Sequence, residues 1–125
     1  MNQKPPRKTG LARIIAAFHY SLDGLRYALT NEAAFRQELA LFLLLVPVIA
    51  ILPLSPSFKT ILLFANASVL IVELLNSAIE SLVDMTSPDF HVLAKSAKDM
   101  GSAAVLLSIV AALIVWCIAL YQVIQ

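Results

Sequence analysis

Residues 71–84 read Ile71-Val72-Glu73-Leu74-Leu75-Asn76-Ser77-Ala78-Ile79-Glu80-Ser81-Leu82-Val83-Asp84, and they decide the fold because they place three carboxylates and an amide in a largely apolar run. Glu73, Asn76, Glu80 and Asp84 follow one another at intervals of three, four and four residues. On an α-helix, at ~100° per residue, they fall within about 80° of one another on one face. Asn66, a heptad before Glu73, shares that stripe, while Leu70, Val72, Leu74, Leu75, Ile79 and Leu82 make the rest apolar. Residues 60–72 carry no charge. The segment therefore predicts a membrane helix with one polar face. Carboxylates in hydrocarbon are costly unless they face a bundle interior, a partner or a metal, so the acidic stripe marks a candidate site.

The whole composition agrees with a membrane setting. Of 125 residues, 60% are hydrophobic and 14% charged, with a mean hydropathy of +0.85. Soluble domains average about 25% charged residues. A single membrane domain is expected, since the length is short for more than one. The net charge of +1 says little about partners, and no nucleic acid is expected among them. Cys117, alone in the chain, excludes an intrachain disulfide. No apolar core follows Lys4, Arg7 and Lys8 directly, so no cleavable leader is expected.

Residues 1–8 read as a loose basic tail. Over 9–30, Leu11, Ile14, Ile15, Phe18, Leu22, Leu25 and Leu29 recur at helical spacing, with Arg13, Asp23 and Arg26 on other sides. That pattern predicts an amphipathic helix lying in the headgroup layer. Glu32 and Arg36, four apart, are expected to pair on a helix. Transmembrane helices are expected at 33–54, 60–85 and 102–124; Pro47 should kink the first, and 53–59 form a tight polar turn. A polar connection after the second, helical in its later half, carries Asp89, His91, Lys95, Lys98 and Asp99. The chain up to Arg36 holds six Lys or Arg, whereas the first turn holds only Lys59. The positive-inside tendency therefore predicts a cytoplasmic N-terminus and second connection.

That topology puts Asp84 near the cytoplasmic surface, Glu80 a turn deeper, and Glu73 about 16 Å further along the axis than Asp84. Glu32 and Glu80 supply hard carboxylate oxygens suited to Mg²⁺, which completes its shell with water and substrate phosphates. Arg13, Lys95 and Lys98 suit contacts to a polyphosphate, and Asp99 and His91 suit nucleotide hydroxyls or the orienting of a lysine. Phosphoryl transfer needs positioning, charge neutralisation and a proton acceptor, which Glu73 is placed to be. Structural readings stand beside these. Asn76 suits interhelical hydrogen bonding, Asp84 a solvated helix end, Lys95 and Lys98 headgroup anchors, and His91 an ordinary loop position. No Walker loop, glycine-rich nucleotide loop or protein-kinase motif occurs.

The segment Glu73-Leu-Leu-Asn-Ser-Ala-Ile-Glu-Ser-Leu-Val-Asp84 resembles the signature of the prokaryotic diacylglycerol kinases. Asn31-Glu-Ala-Ala-Phe-Arg-Gln-Glu38 and Ala97-Lys-Asp-Met-Gly-Ser-Ala-Ala104 resemble two further family blocks, and Arg13-Ile-Ile and Tyr20-Ser-Leu-Asp-Gly-Leu-Arg26 also fit. The resemblance spans the chain from about residue 10 and implies an all-α inner-membrane lipid kinase with three transmembrane helices and a surface helix. It also implies a homotrimer with shared active sites, acting in phospholipid metabolism. Carried over residue by residue, Glu73 is similar to the catalytic base, and Glu32 and Glu80 to the Mg²⁺ ligands. Arg13, Tyr20, Glu32, Glu80, Asp89, His91, Lys98 and Asp99 match positions that hold ATP. Arg13, Ser21, Glu73, Ser102 and Trp116 match positions expected to contact the lipid, with Asn76 and Asp84 supporting. Ala16, His19, Asp23 and Asp89 depart from residues common in the family, which bears on lipid preference and ATP affinity rather than on the base or metal ligands.

The implied reaction is the ATP-dependent phosphorylation of 1,2-diacylglycerol to phosphatidic acid. Two rivals remain at this point. An undecaprenol kinase performs the same chemistry on a polyisoprenol. A proton-coupled transporter would use Glu73 as its titrating group, yet leaves Glu32, Glu80 and the Lys98-Asp99 pair without a task.

Overall fold

The computed structural model describes residues 9–125; the expected basic tail, 1–8, lies outside them. Four helices follow in order: α1 (Gly10–Asn31), α2 (Ala33–Ile51), α3 (Pro56–Thr86) and α4 (Val92–Ile124). No strand occurs among the described residues. The last three helices are each long and apolar enough to cross a bilayer. The fold is all-α, with α1 as a shorter N-terminal helix that touches only α2 appreciably.

Helix boundaries follow local chemistry. α1 ends where Glu32 turns extended (φ −103°, ψ 107°), its amide still donating to Ala28 O. Ser55 caps α3, its Oγ accepting from the Phe58 amide at 3.3 Å, with Pro56 in the first turn, where a missing N–H costs nothing. Lys59 Nζ donates to Ala50 O at 2.7 Å and so satisfies the end of α2. Ser87, before Pro88, stops α3, since a residue preceding proline avoids the helical region. His91 then caps α4, Nδ1 accepting from the Leu93 amide at 3.2 Å. α4 begins at Val92, so Lys95, Lys98 and Asp99 stand on the same unbroken helix as the apolar crossing.

Packing reads as three interlocking seams. α3 buries Leu62, Val69, Glu73 and Asn76, and α4 buries Gly101, Ala112 and Ala119, whose small side chains let the two helices approach closely. α2 presents Phe35 and Ile49, with Glu38, Phe42 and Leu45 half-buried on the same stripe. Ile49, Leu62 and Ala119 meet at one end of the bundle, sealed by Leu54, Phe58, Leu63, Val115 and Trp116. Several polar side chains in the apolar zone find partners: Ser68 donates to Ala65 O, Ser108 to Val105 O and Asn66 to Leu62 O, while Trp116 Nε1 donates across helices to Asn66 Oδ1 at 3.3 Å. The outer faces, with Leu44, Phe64, Leu75, Leu107 and Ile114, are bare, as a lipid-facing surface requires.

Candidate active site

The end of the bundle opposite the Ile49 cluster is where acids collect. Glu73 is buried at 6% exposure on the inner seam of α3, with Asn76 buried beside it. Glu80 is half-buried and Asp84 exposed, so the stripe passes from interior to surface in helical steps. Asn76 Nδ2 donates to Glu80 Oε1 at 3.1 Å. Glu38, Glu80 and Glu32 all lie within electrostatic range of Glu73. Four carboxylates from α2, α3 and the α1–α2 elbow therefore share one region.

Glu38 was not among the candidate residues. Its signal is in the sequence, three residues after Phe35 on the stripe that continues to Phe42, Leu45 and Ile49, but only the partner helices reveal that this stripe faces inwards. The expected Glu32–Arg36 pair does not form. Glu32 is the extended residue between two helices, so the two side chains are not on one helical face. Arg36 instead donates from Nη1 to Thr30 O at 3.1 Å and Leu29 O at 3.3 Å, satisfying carbonyls at the end of α1. Those bonds fix the elbow and direct the Arg36 guanidinium to backbone carbonyls rather than to the Glu32 carboxylate.

The surface cluster is built around the short turn between α3 and α4. Lys98 Nζ reaches Asp84 Oδ1 at 2.9 Å, and Lys95 Nζ reaches Asp99 Oδ2 at 2.5 Å. Asp84, Asp89, His91, Lys95, Lys98 and Asp99 line a cavity of about 430 Å³. A second cavity, of about 540 Å³ and mainly apolar, lies between α1 and α3, with Ser21, Tyr27, Glu32, Ser77 and Ser81 on its wall. Trp116 lines a smaller one with Glu38 and Asn66. Arg13, Tyr20 and Ser102 are exposed; Tyr20 borders a shallow hollow on α1 with Ala16 and His19. Within one chain Glu32, Glu73 and Glu80 make an acidic interior, Asp84, Asp89, His91, Lys98 and Asp99 a charged rim, and Ser21 borders the apolar flank, whereas Arg13, Tyr20 and Ser102 are exposed outside these zones and Trp116 packs against the Ile49 cluster.

No group of three or more His, Cys, Asp or Glu with metal-binding geometry occurs among the described residues. Mg²⁺ does not require one, since one or two carboxylates plus substrate phosphates suffice. The donors present are hard oxygens, and the bond from Asn76 engages Glu80 Oε1 alone. The donor set fits a Mg²⁺ carried in with a polyphosphate.

A buried acid stripe on a helix long and apolar enough to cross a bilayer, with a charged rim and an apolar cavity beside it, suits chemistry at a membrane surface. The family profile of prokaryotic diacylglycerol kinase matches residues 19–120, and the chain belongs to that family. It is 50% identical over 114 residues to the diacylglycerol kinase of Escherichia coli (strain K12), covering 91% of this chain and 93% of the relative. With the diacylglycerol kinase of Pseudomonas aeruginosa PAO1 it shares 45% identity over 109 residues, 87% of this chain and 89% of the relative. With that of Helicobacter pylori 26695 it shares 39% over 112 residues, 90% and 88% respectively.

Proposed function

We propose that the chain transfers the γ-phosphoryl group of ATP to the free hydroxyl of 1,2-diacylglycerol, giving phosphatidic acid and ADP at the inner face of a bacterial plasma membrane. The observation that carries this reading is the depth order on α3: a buried Glu73 two turns inside a half-buried, amide-bonded Glu80. An oily alcohol and a water-borne triphosphate must meet without either leaving its own phase, and this stripe spans the boundary between the two.

In the reaction, Glu73 takes the proton of the lipid hydroxyl as its oxygen forms a bond to the γ-phosphorus, while the bond to the β,γ-bridging oxygen breaks and ADP departs. Glu32 and Glu80 would hold Mg²⁺, which when bound neutralises charge on the phosphate oxygens. Asn76 keeps one Glu80 oxygen in place. Lys98, seated on Asp84, and Lys95, seated on Asp99, present cations at the rim for the polyphosphate, with His91, Asp89, Arg13 and Tyr20 assigned to the nucleotide. The apolar cavity beside Ser21 and Glu32 suits acyl chains, and Ser102 and Trp116 are assigned to the lipid. Assembly as a homotrimer with shared sites, and a cytoplasmic N-terminus, belong to the same reading.

The test is ATP consumption by purified protein in mixed micelles, with and without Mg²⁺, on diacylglycerol and undecaprenol side by side. Glu73→Gln is nearly isosteric and is expected to keep the fold while lowering turnover by about 10²–10⁴-fold, the usual worth of a general base. Wild-type rates in that variant would discard Glu73 as the base. Faster turnover of undecaprenol would transfer the assignment to the polyisoprenol, and proton-driven efflux in liposomes without ATP would favour a transporter.

A further inference from the structure

Helices α3 and α4 come very close where Gly101 meets Asn76. Gly101 is buried, and a β-carbon added there would overlap Asn76 Oδ1 and lie 3.4 Å from Asn76 Cγ. The amide thus occupies the space that any other residue would fill with its own side chain. Asn76 is 9% exposed; its Nδ2 donates to Glu80, but its Oδ1 is buried with no hydrogen-bond donor. Such an orphan acceptor costs about 1–3 kcal/mol. Part of that cost is offset by what faces it, because Cα–H groups donate weakly to oxygen at close helix–helix contacts and glycine brings two of them. The reverse orientation of the amide sets Oδ1 against a Glu80 oxygen and Nδ2 against a carbon. Glu80 on one side and Gly101 on the other therefore select one orientation.

We propose that Gly101 is a positioning residue for the phosphoryl transfer: the bare Cα of α4 seats the Asn76 amide so that Nδ2 holds one oxygen of Glu80 and leaves the other for metal-phosphate binding. This rests on the functional reading above. Gly101 touches neither substrate; it acts through Asn76. A methyl group in its place must push the amide off its seat or push the helices apart, and either movement releases Glu80.

Three measurements separate the seat from the reaction. First, side-chain amide ¹⁵N and ¹H resonances of Asn76 in detergent micelles should shift in Gly101→Ala; unchanged resonances overturn the proposal whatever the activity. Second, Gly101→Ala should raise the Mg²⁺ concentration for half-maximal turnover by about 10–100-fold, the usual cost of losing a metal ligand's support. Third, the same change made on an Asn76→Ala background should cost less than about twofold, because the residue it acts through is gone. A full, additive penalty on that background overturns the proposal. If Gly101→Ala alone does not fold, the double variant is expected to, since truncation removes the atom a β-carbon strikes; a double variant that also fails to fold counts against the seat. If the wild-type protein does not phosphorylate diacylglycerol while Gly101→Ala still shifts the Asn76 resonances, the assigned reaction is refuted and the seat is supported.

Discussion

Four polar residues on a single stripe of α3 end in four different surroundings. Glu73 is enclosed, Asn76 is held between Glu80 and Gly101, Glu80 is half-covered, and Asp84 stands in the open bonded to Lys98. The stripe itself was legible, because spacings of three and four residues fix a face before any partner is known. What each residue does with its position was not. The environment of Glu73 depends on Glu38, whose inward direction is a property of α2 packing against two other helices. Arg36 was misread for a related reason: no proline or glycine announces the break at Glu32, so a pair that looks helical in the sequence is divided in space. Asp84 supports a prediction at this scale. Asp84→Asn removes the charge that holds Lys98 over the rim cavity, and the released ammonium is expected to raise KM for ATP several-fold with a smaller change in kcat. Steady-state titration of ATP at saturating lipid checks this; an unchanged KM would leave the ion pair a structural detail.

At the scale of the elements, the apolar runs were long enough to announce three crossings, since about 20 residues are needed to span hydrocarbon. Which side of each run faces its neighbours was less clear. Beyond its charged first turns α4 is apolar on nearly every side, so its seam shows mainly as the spacing of small residues, Gly101, Ala112 and Ala119, against larger ones outside. Size carries the information there, not polarity. Ala119 is fully buried against Ile49 and Leu62, whereas Leu113 is 57% exposed. Ala119→Leu should therefore destabilise the bundle by about 1–3 kcal/mol through overpacking. Leu113→Ala, at an exposed side chain outside that seam, should change stability by less than about 0.5 kcal/mol. Denaturation in mixed micelles distinguishes them, and equal losses would mean the seam is misplaced.

For the molecule as a whole, the proposed orientation rests on charge counting, which expects the N-terminus and the α3–α4 turn on the cytoplasmic side. Ser57 lies in the first turn of α3 and Ser96 on the first turns of α4, at opposite ends of the bundle. In a Cys117→Ala background, Ser57→Cys should react with a membrane-impermeant thiol reagent added outside cells, and Ser96→Cys only after lysis. The opposite pattern would invert the orientation and with it the access of ATP to the rim. The number of chains in the working enzyme left no comparable trace in the sequence, because lipid-facing and subunit-facing leucines are chemically alike.

The turn between α3 and α4, residues 87–91, is too short to let one helix ratchet past the other, and the Lys98–Asp84 contact ties its two ends. The α3–α4 hairpin is thus held at its turn. At the other joint Glu32 is extended between α1 and α2, with α1 lightly docked and held there by the Arg36 bonds to Thr30 O and Leu29 O. Whatever disturbs that lightly anchored helix is therefore felt first at Glu32, one of the two carboxylates proposed for the metal, so the integrity of the cradle depends on how firmly its least-packed neighbour is tethered.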